Sequence, residues 1–381
     1  MSKKYVDMVL KKIAKSLDIG DDLFEKAENE YKDLGSLINE KIEKSNLLYS
    51  VKIYPQGSMA LGTIVRPITD KDDYDIDFVC QFMKDPLASA RDLKCKIVKP
   101  WLEDYCIENG CSVGYIEEKK RCWHVEKNKL PNFHIDVIPG YKLDNMLKIT
   151  NHDEKHDTYN YIGSNPKGYI EWFQKQCDQY FTRKINKYHI DNRKAQIEEL
   201  KRNKSKTPLQ QAIQIMKRHR DIMYKDNPDD KPISIIITTI MASVYDGSDS
   251  VSDTIYLFLD IVGDYIKNHM QSGKYCICNP MLPNENFADK WNADKNRANE
   301  FFRWIKQARQ DFCMETSIRL DEIEKVNLAE RLKKSLGKNI VNKVYDEVAE
   351  GERHSFRAVS TTTGILGMEG VQIVPHTHYG E

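Results

Sequence analysis

Tyr54–Phe82, YPQGSMALGTIVRPITDKDDYDIDFVCQF, joins a Gly57-Ser58 turn to an acidic strand. Successive side chains of a strand point to opposite faces, so Asp75 and Asp77 share one face while Tyr74, Ile76 and Phe78 share the other. One face packs; the other gathers negative charge. The stretch FHIDVIP from Phe133 repeats this alternation, with Phe133, Ile135 and Val137 set against His134 and Asp136. A second strand can therefore place Asp136 beside Asp75 and Asp77. Carboxylates held side by side repel one another, and a divalent cation relieves the repulsion. Oxygen-only ligands suit Mg²⁺ or Mn²⁺ rather than zinc, and three carboxylates can hold two ions. An isolated Asp-x-Asp equally fits a solvated strand edge or turn. Gln56-Gly57-Ser58 upstream and His134-Ile135-Asp136-Val137 downstream favour a metal site for phosphate chemistry.

In a two-metal site one ion activates an attacking hydroxyl and the other steadies a triphosphate and its leaving pyrophosphate, so the reaction class is nucleotidyl transfer. No side-chain nucleophile is required. Gly57 lets backbone approach a phosphate closely, and Ser58 adds a hydroxyl donor beside amides that open a helix. Asp73 lies on the same face as Asp75 and Asp77, but their apolar flanks favour the latter two as ligands.

QGSMALGTIVRP, DYDIDFV and FHIDVIPG resemble the G-S-x3-G-T, D-x-D and third-Asp motifs of the bacterial cGAS/DncV-like nucleotidyltransferases (CD-NTases), within the DNA polymerase β-like superfamily. QQAIQIMKRHRDIMY, KPISIIITTIMASVY and NPMLPNENFADKW resemble helical-lobe motifs that this family shares with oligoadenylate synthases, so the resemblance runs from about Tyr54 to Trp291. It implies that Gln56, Gly57 and Ser58 hold a donor triphosphate. It also implies that Asp75, Asp77 and Asp136 bind two Mg²⁺ ions, for which Mn²⁺ can substitute, and that Asp136 helps activate the acceptor hydroxyl. By the same resemblance Lys217 and Ser234 reach the phosphates. Read from the residues alone, Lys217 beside Arg218 and Arg220 equally fits a basic helix face in water, and Ser234 a cap for the helix beginning near Pro232.

The implied fold is α/β: a mixed-sheet polymerase β-like nucleotidyltransferase lobe and a helical C-terminal lobe, with the active site in the cleft between them. Residues 1–50 carry two amphipathic helical patterns that would brace the catalytic sheet, and 51–165 form the catalytic core. Within the core, strands are expected near 50–54, 74–82, 111–117, 121–126 and 132–138, with a long helix from Leu87 to Tyr105. Residues 166–350 form an almost wholly helical lobe, with helices over 168–181, 209–224, 233–245, 251–270 and 294 to about 336. The last segment, 351–381, has several glycines, STTTG and no apolar period, and reads as a mobile tail.

With 381 residues, 40% hydrophobic and 30% charged, the chain can bury one or two sizeable cores. No stretch approaches the roughly 18 consecutive apolar residues of a membrane span, and the N-terminus lacks a signal pattern, so a cytoplasmic protein with no membrane partner is expected. Nine scattered cysteines favour neither a disulfide framework nor a zinc ribbon. Cys276-Ile277-Cys278 lacks the remaining ligands of a metal site, and His152 and His156 read as loop histidines. A formal net charge of zero argues against indiscriminate duplex binding. The segment from Arg183 to Lys206 is nevertheless basic. It can flank a nucleotide channel, touch an RNA or DNA activator, or be a solvated connector.

The expected activity is synthesis of a cyclic di- or trinucleotide from NTPs, ATP among them, with pyrophosphate release. By resemblance it serves bacterial antiphage (CBASS-type) defence, and the product acts on a downstream effector. By resemblance, a ubiquitin-like transfer enzyme or regulatory protein can act at the C-terminal tail, although Glu381 follows Gly380, so conjugation through glycine would need trimming first or a different acceptor rule. Two alternatives are an enzyme making linear oligonucleotides or tailing RNA, and a catalytically silent nucleotide-binding sensor.

Overall fold

Two amphipathic helices, α1 (Ser2–Leu17) and α2 (Asp21–Lys44), open the chain, and their apolar stripes lead to different places. The computed structural model describes residues 2–44, 50–69, 74–109, 116–126, 133–191, 206–312, 322–355, 358–359, 366–367 and 371–372. Ala27, Leu34, Leu37, Ile38 and Ile42 of α2 pack under the catalytic sheet. Val6, Val9, Leu10, Ile13, Ala14 and Leu17 of α1 instead join the core of the helical lobe. The expectation that residues 1–50 as a whole brace the sheet is corrected: α2 does so, while α1 belongs with the later helices. An amphipathic stripe specifies that a helix packs, not against what.

Among the described residues the sheet is mixed and seven-stranded. β1 (Val51–Pro55) leads through a one-turn helix, α3 (Gly57–Ala60), to β2 (Tyr74–Phe82). A π-helical stretch (Asp92–Val98) runs into α4 (Lys99–Glu108), followed by β3 (Ile116–Glu118), β4 (Trp123–Glu126) and β5 (Phe133–Leu143). The order is β1-β2-β5-β4-β3; β6 (Met146–Asp153) and β7 (Thr158–Ser164) extend the far half of β5 as a hairpin. β2 and β5 are parallel, and the remaining pairs are antiparallel. Ile76, Phe78, Cys80 and Phe82 of β2 bury one face together with Trp123, Val125, Ile135 and Val137, against α2 and α4. The opposite face carries the charged residues.

Some sequence expectations need revision here. The long helix expected from Leu87 is displaced: Leu87 is 94% exposed with φ +55°, and the following turns are π-helical. Lys94, fully buried, pairs with Glu118 at 3.1 Å and donates to the Lys119 and Lys120 carbonyls, a set of bonds that links this segment to the β3–β4 turn. His152 lies on β6, stacked on Tyr159 at 4.1 Å, rather than in a loop, whereas His156 lies in the β6–β7 turn. Asp73 and residues 111–115 lie outside the described residues.

The second lobe contains α5 (Pro166–Asp191), α6 (Pro208–Met223), α7 (Ser234–Val244), α8 (Val251–Asn268), α9 (Asp289–Ala293), α10 (Lys295–Phe312), α11 (Glu322–Leu336) and α12 (Lys338–Ser355). Two small hairpins, β8–β9 (Met270–Gln271, Lys274–Tyr275) and β10–β11 (Cys278–Asn279, Leu282–Asn286), interrupt the helical pattern. The single helix expected from 294 to 336 is α10 and α11, with 313–321 outside the described residues. Helix α12 continues past 350, and three two-residue strands at 358–359, 366–367 and 371–372 pair in the segment expected to be a mobile tail. Gly380 and Glu381, where conjugation was considered, lie outside the described residues, as do residues 192–205 of the basic segment. Among the described residues no helix is long and apolar enough to cross a membrane.

Helix α6 joins the two lobes. Thr207 and Gln210 form a reciprocal capping box at its start, and Pro208 occupies the first turn, where its missing N–H costs nothing. Leu209, Ala212, Ile213 and Met216 enter the helical core. The other face donates to a backbone segment of the catalytic lobe: Gln210 to the Leu61 carbonyl at 2.9 Å, Gln214 to Ile64 at 2.7 Å, Lys217 to Thr63 at 3.0 Å and Arg218 to Pro67 at 3.3 Å. These carbonyls belong to a segment with no strand or helix ladder, so α6 satisfies groups that would otherwise be desolvated without a partner. Replacing Gln214 by Leu removes the donor to Ile64. We expect the Gln214→Leu protein to lose about 1–3 kcal/mol of stability, read from urea unfolding.

Candidate active site

Strand register decides which charges meet. Asp77 is the register partner of Asp136 across the parallel β2–β5 pair, and Asp75 is the partner of His134. On the other side of β5, His124 of β4 lies opposite Asp136 and Glu126 opposite His134. Neighbouring strands lie about 4.8 Å apart, so the polar face carries two cross-strand rows, Asp77–Asp136–His124 and Asp75–His134–Glu126. His124 Nδ1 is 2.6 Å from Asp136 Oδ1, and the carboxylate raises the imidazole's pKa.

The carboxylates pay electrostatically for this arrangement. Burial, followed by the charges of Asp136 and Asp75, pushes Asp77 up to about 7; Lys217 acts in the opposite direction. Asp75 is also raised, by burial first and Asp136 second. An all-oxygen set of like charges whose ionised form is disfavoured fits a hard divalent cation such as Mg²⁺, which would neutralise it. Asp75, Asp77 and Asp136 are the residues that would hold it.

The Gly57-Ser58 turn is built around Asp77. The Gln56 amide donates to the Asp77 carbonyl at 2.8 Å, tying the start of α3 to β2. Gly57 has φ +59°, and a Cβ at this position would lie 2.3 Å from Asp77 Oδ2. Only glycine meets both the left-handed backbone and the close approach of the carboxylate. Ser58 follows, and its carbonyl accepts the Thr63 amide at 2.9 Å, closing the turn onto the segment that α6 holds.

Gly57, Ser58, Asp75, Asp77, Asp136, Lys217 and Ser234 line one cleft of about 760 Å³ between the lobes. Gln56 is the exception among the expected site residues: it lines an adjoining pocket of about 170 Å³ with Arg121, Ser164 and Glu285. Lys217 is only 5% exposed, so the alternative of a basic helix face in water does not hold; Arg218 and Arg220 are buried as well. Burial and the Arg220 charge lower the Lys217 pKa to about 7. Ser234 is the first residue of α7, whose cap is Ile233 without a side-chain bond, so Ser234 is not the cap. Its hydroxyl accepts from Arg220 Nη1 at 2.7 Å.

Sequence reading missed several residues of the cleft. Arg220, one turn beyond Lys217, lines it together with Asp221, Tyr224 and Lys231. Asp221 accepts from Arg220 at 2.7 Å and pairs with Lys231 at 3.5 Å. The i, i+3 spacing of Lys217 and Arg220 was the available signal. His124 was legible too, since Trp123 and Val125 alternate with His124 and Glu126.

Adjacent carboxylates on a mixed sheet, a glycine-serine turn packed onto one of them and buried cations across a cleft define a nucleotidyltransferase. Residues 51–141 match the family model described as the nucleotidyltransferase domain of cyclic GMP-AMP synthase DncV-like proteins. A c-di-GMP synthase of Roseivirga ehrenbergii is 31% identical over 271 residues, covering 69% of this chain and 67% of that protein. The chain belongs to the cGAS/DncV-like nucleotidyltransferase family. Its fold is similar to that of Bradyrhizobium diazoefficiens CdnG in complex with GTP, with TM-score 0.67, 18% identity, and 90% of this chain and 99% of that chain covered. CdnC of E. coli MS115-1, solved as a complex with HORMA-deltaN, is similar at TM-score 0.57 and 14% identity, with 86% and 96% covered.

Two outcomes follow from this geometry. Gly57→Ala should cost about 1–2 kcal/mol from the left-handed backbone alone and displace Asp77, seen as a lower Tm together with loss of activity in folded protein. A carboxyl whose folded pKa is raised binds more protons when folded than when unfolded. Its contribution to stability therefore falls as pH rises from the unfolded value, near 4, to about 7, and stays low above that. Metal-free Asp77→Asn should accordingly show a higher Tm than wild type at pH 8 and no such advantage at pH 4, and Mg²⁺ should raise the wild-type Tm more than that of the variant.

Proposed function

We propose that this protein joins two NTPs through successive phosphodiester bonds into a cyclic dinucleotide, releasing pyrophosphate at each step. The observation that carries the reading is the facing of Asp77 and Asp136 across β2 and β5, with Gly57 packed onto Asp77 at the floor of the interlobe cleft. Relatives named as cyclic dinucleotide synthases support the product class, which narrows the sequence expectation of a di- or trinucleotide.

Mg²⁺ held by Asp75, Asp77 and Asp136 would supply the charge that makes a hydroxyl a nucleophile and a pyrophosphate a leaving group. The protein supplies position. Ser58 and the backbone of α3 face the cleft where the donor's phosphates are to lie. Lys217 and Arg220 present cationic groups from the helical lobe; Lys217 is anchored on Thr63, and Arg220 orients Ser234 at the first turn of α7. Helix α7 also turns its positive end toward the cleft. Asp136, hydrogen-bonded to His124, helps activate the acceptor hydroxyl in this reading. Cyclisation repeats the chemistry once the linear intermediate has reversed so that its own hydroxyl becomes the acceptor. A cleft of about 760 Å³ lies within the range of small-molecule sites and gives room beside the donor.

In this reading the substrates are cytoplasmic NTPs, and the product is a second messenger for an effector in bacterial antiphage defence. A regulatory protein is a further part of the reading, supported by the CdnC complex with HORMA-deltaN. The test is incubation of purified protein with NTPs and Mg²⁺ or Mn²⁺, then phosphatase treatment and mass spectrometry. A phosphatase-resistant product with one phosphate per nucleoside is expected, and it should be abolished in folded Asp75→Asn and Asp77→Asn proteins. Linear, phosphatase-sensitive products from wild type, or cyclic product from either variant, would overturn the reading.

A further inference from the structure

The row of side chains beyond the catalytic carboxylates has ligand chemistry of its own. One ligand atom each from His124, Glu126 and His134 lies within 4.8 Å of the others. Strand register fixes this grouping: Glu126 is the partner of His134 across β4–β5, and His124 is two residues away on the same face. The two imidazole rings are tilted at 39° with centroids 4.7 Å apart. Ligands around a tetrahedral zinc ion lie about 3.3 Å from one another, a contraction within reach of χ rotation on a fixed backbone.

We propose that His124, Glu126 and His134 form a binding site for a transition-metal ion, best matched by Zn²⁺, separate from the carboxylate site for Mg²⁺. The donor set separates the two sites. Asp75, Asp77 and Asp136 offer only oxygen, whereas two imidazoles and one carboxylate suit zinc and its neighbours and suit Mg²⁺ poorly. The surrounding hydrogen bonds fit the same role. Metal-bound histidines commonly donate their second ring nitrogen to a carboxylate, which fixes the tautomer and the ring, and His124 Nδ1 already meets Asp136 Oδ1 at 2.6 Å. The other nitrogen of His124 is then the one an ion uses. Three protein ligands leave an open coordination position, as in zinc sites that bind water or an oxygen ligand.

The consequence reaches the neighbouring site through one hydrogen bond. An ion on the far nitrogen of His124 makes Nδ1 a fixed donor and holds Asp136 in a single orientation toward the cleft. His124 is thus a positioning residue for Asp136.

The experiment uses tag-free, full-length protein stripped with EDTA and titrated with Co²⁺, a spectroscopic stand-in for zinc, in a large excess of Mg²⁺. We expect visible d–d bands that saturate at one equivalent and are displaced by Zn²⁺. His134→Ala and Glu126→Gln should each weaken Co²⁺ binding by at least about tenfold, while Asp77→Asn leaves it unchanged. Circular dichroism checks folding, and the conservative Glu126→Gln keeps the test decisive if His134→Ala does not fold. Absence of Mg²⁺-resistant bands in wild type, undiminished Co²⁺ affinity in Glu126→Gln, or loss of the bands in folded Asp77→Asn would overturn the proposal. The readout is optical, so its failure is distinct from failure of nucleotidyl transfer.

Discussion

The polar row of α6 holds the site together. Gln210, Gln214, Lys217 and Arg218 donate to four carbonyls between Leu61 and Pro67, the stretch linking the Gly57-Ser58 turn to the approach to β2. That stretch has no ladder of its own, and Thr63 within it is fully buried. Its carbonyls must find donors, and α6 provides them from the opposite lobe. The same helix faces the cleft with Lys217 and Arg220, so the contact that orders the turn also sets the distance between the carboxylate floor and the cationic wall. An apolar α6 would pack equally well on its inner face and would leave the turn without support.

Rigidity on one side lets the fold tolerate electrostatic cost on the other. Asp75, Asp77 and Asp136 stand on central strands whose reverse face is closed by Ile76, Phe78, Ile135 and Val137, all essentially buried. Repelling carboxylates on a loop would splay apart; on paired strands the ladder holds them in register. Gly57 adds a second constraint, since its backbone occupies space that any side chain would deny to Asp77.

How far the sequence reveals this depends on whether a feature is set locally. The alternation in DYDIDFV and FHIDVIPG is local, and it placed Asp75, Asp77 and Asp136 on one face before any partner strand was known. That Asp77 rather than Asp75 faces Asp136 is a matter of register and was not legible. The hairpin of β6 and β7 was missed because MLKITNHD and TYNYIGS carry polar residues on both faces near the turn, which blurs the period of two. Lys217-Arg218-His219-Arg220 reads as a solvated basic face, yet all four are at most 5% exposed. Apart from Asp221, which adjoins Arg220, their partners are backbone carbonyls and side chains of other segments, which no periodicity encodes. The destination of α1 was hidden for the same reason.

Asp77 and Lys217 show what burial does to the charges that line the cleft. Both are drawn toward about 7, the acid from below and the base from above, because burial penalises the charged form of each. A cation against Asp77 favours the carboxylate, and a triphosphate near Lys217 favours the ammonium. In the proposed reaction, a nucleotide that arrives with its metal supplies both counter-charges at once. Neither half of such a ligand alone restores both charges. On the proposed function, the cleft suits a metal–triphosphate pair because opposite charges are buried on two lobes that face one another.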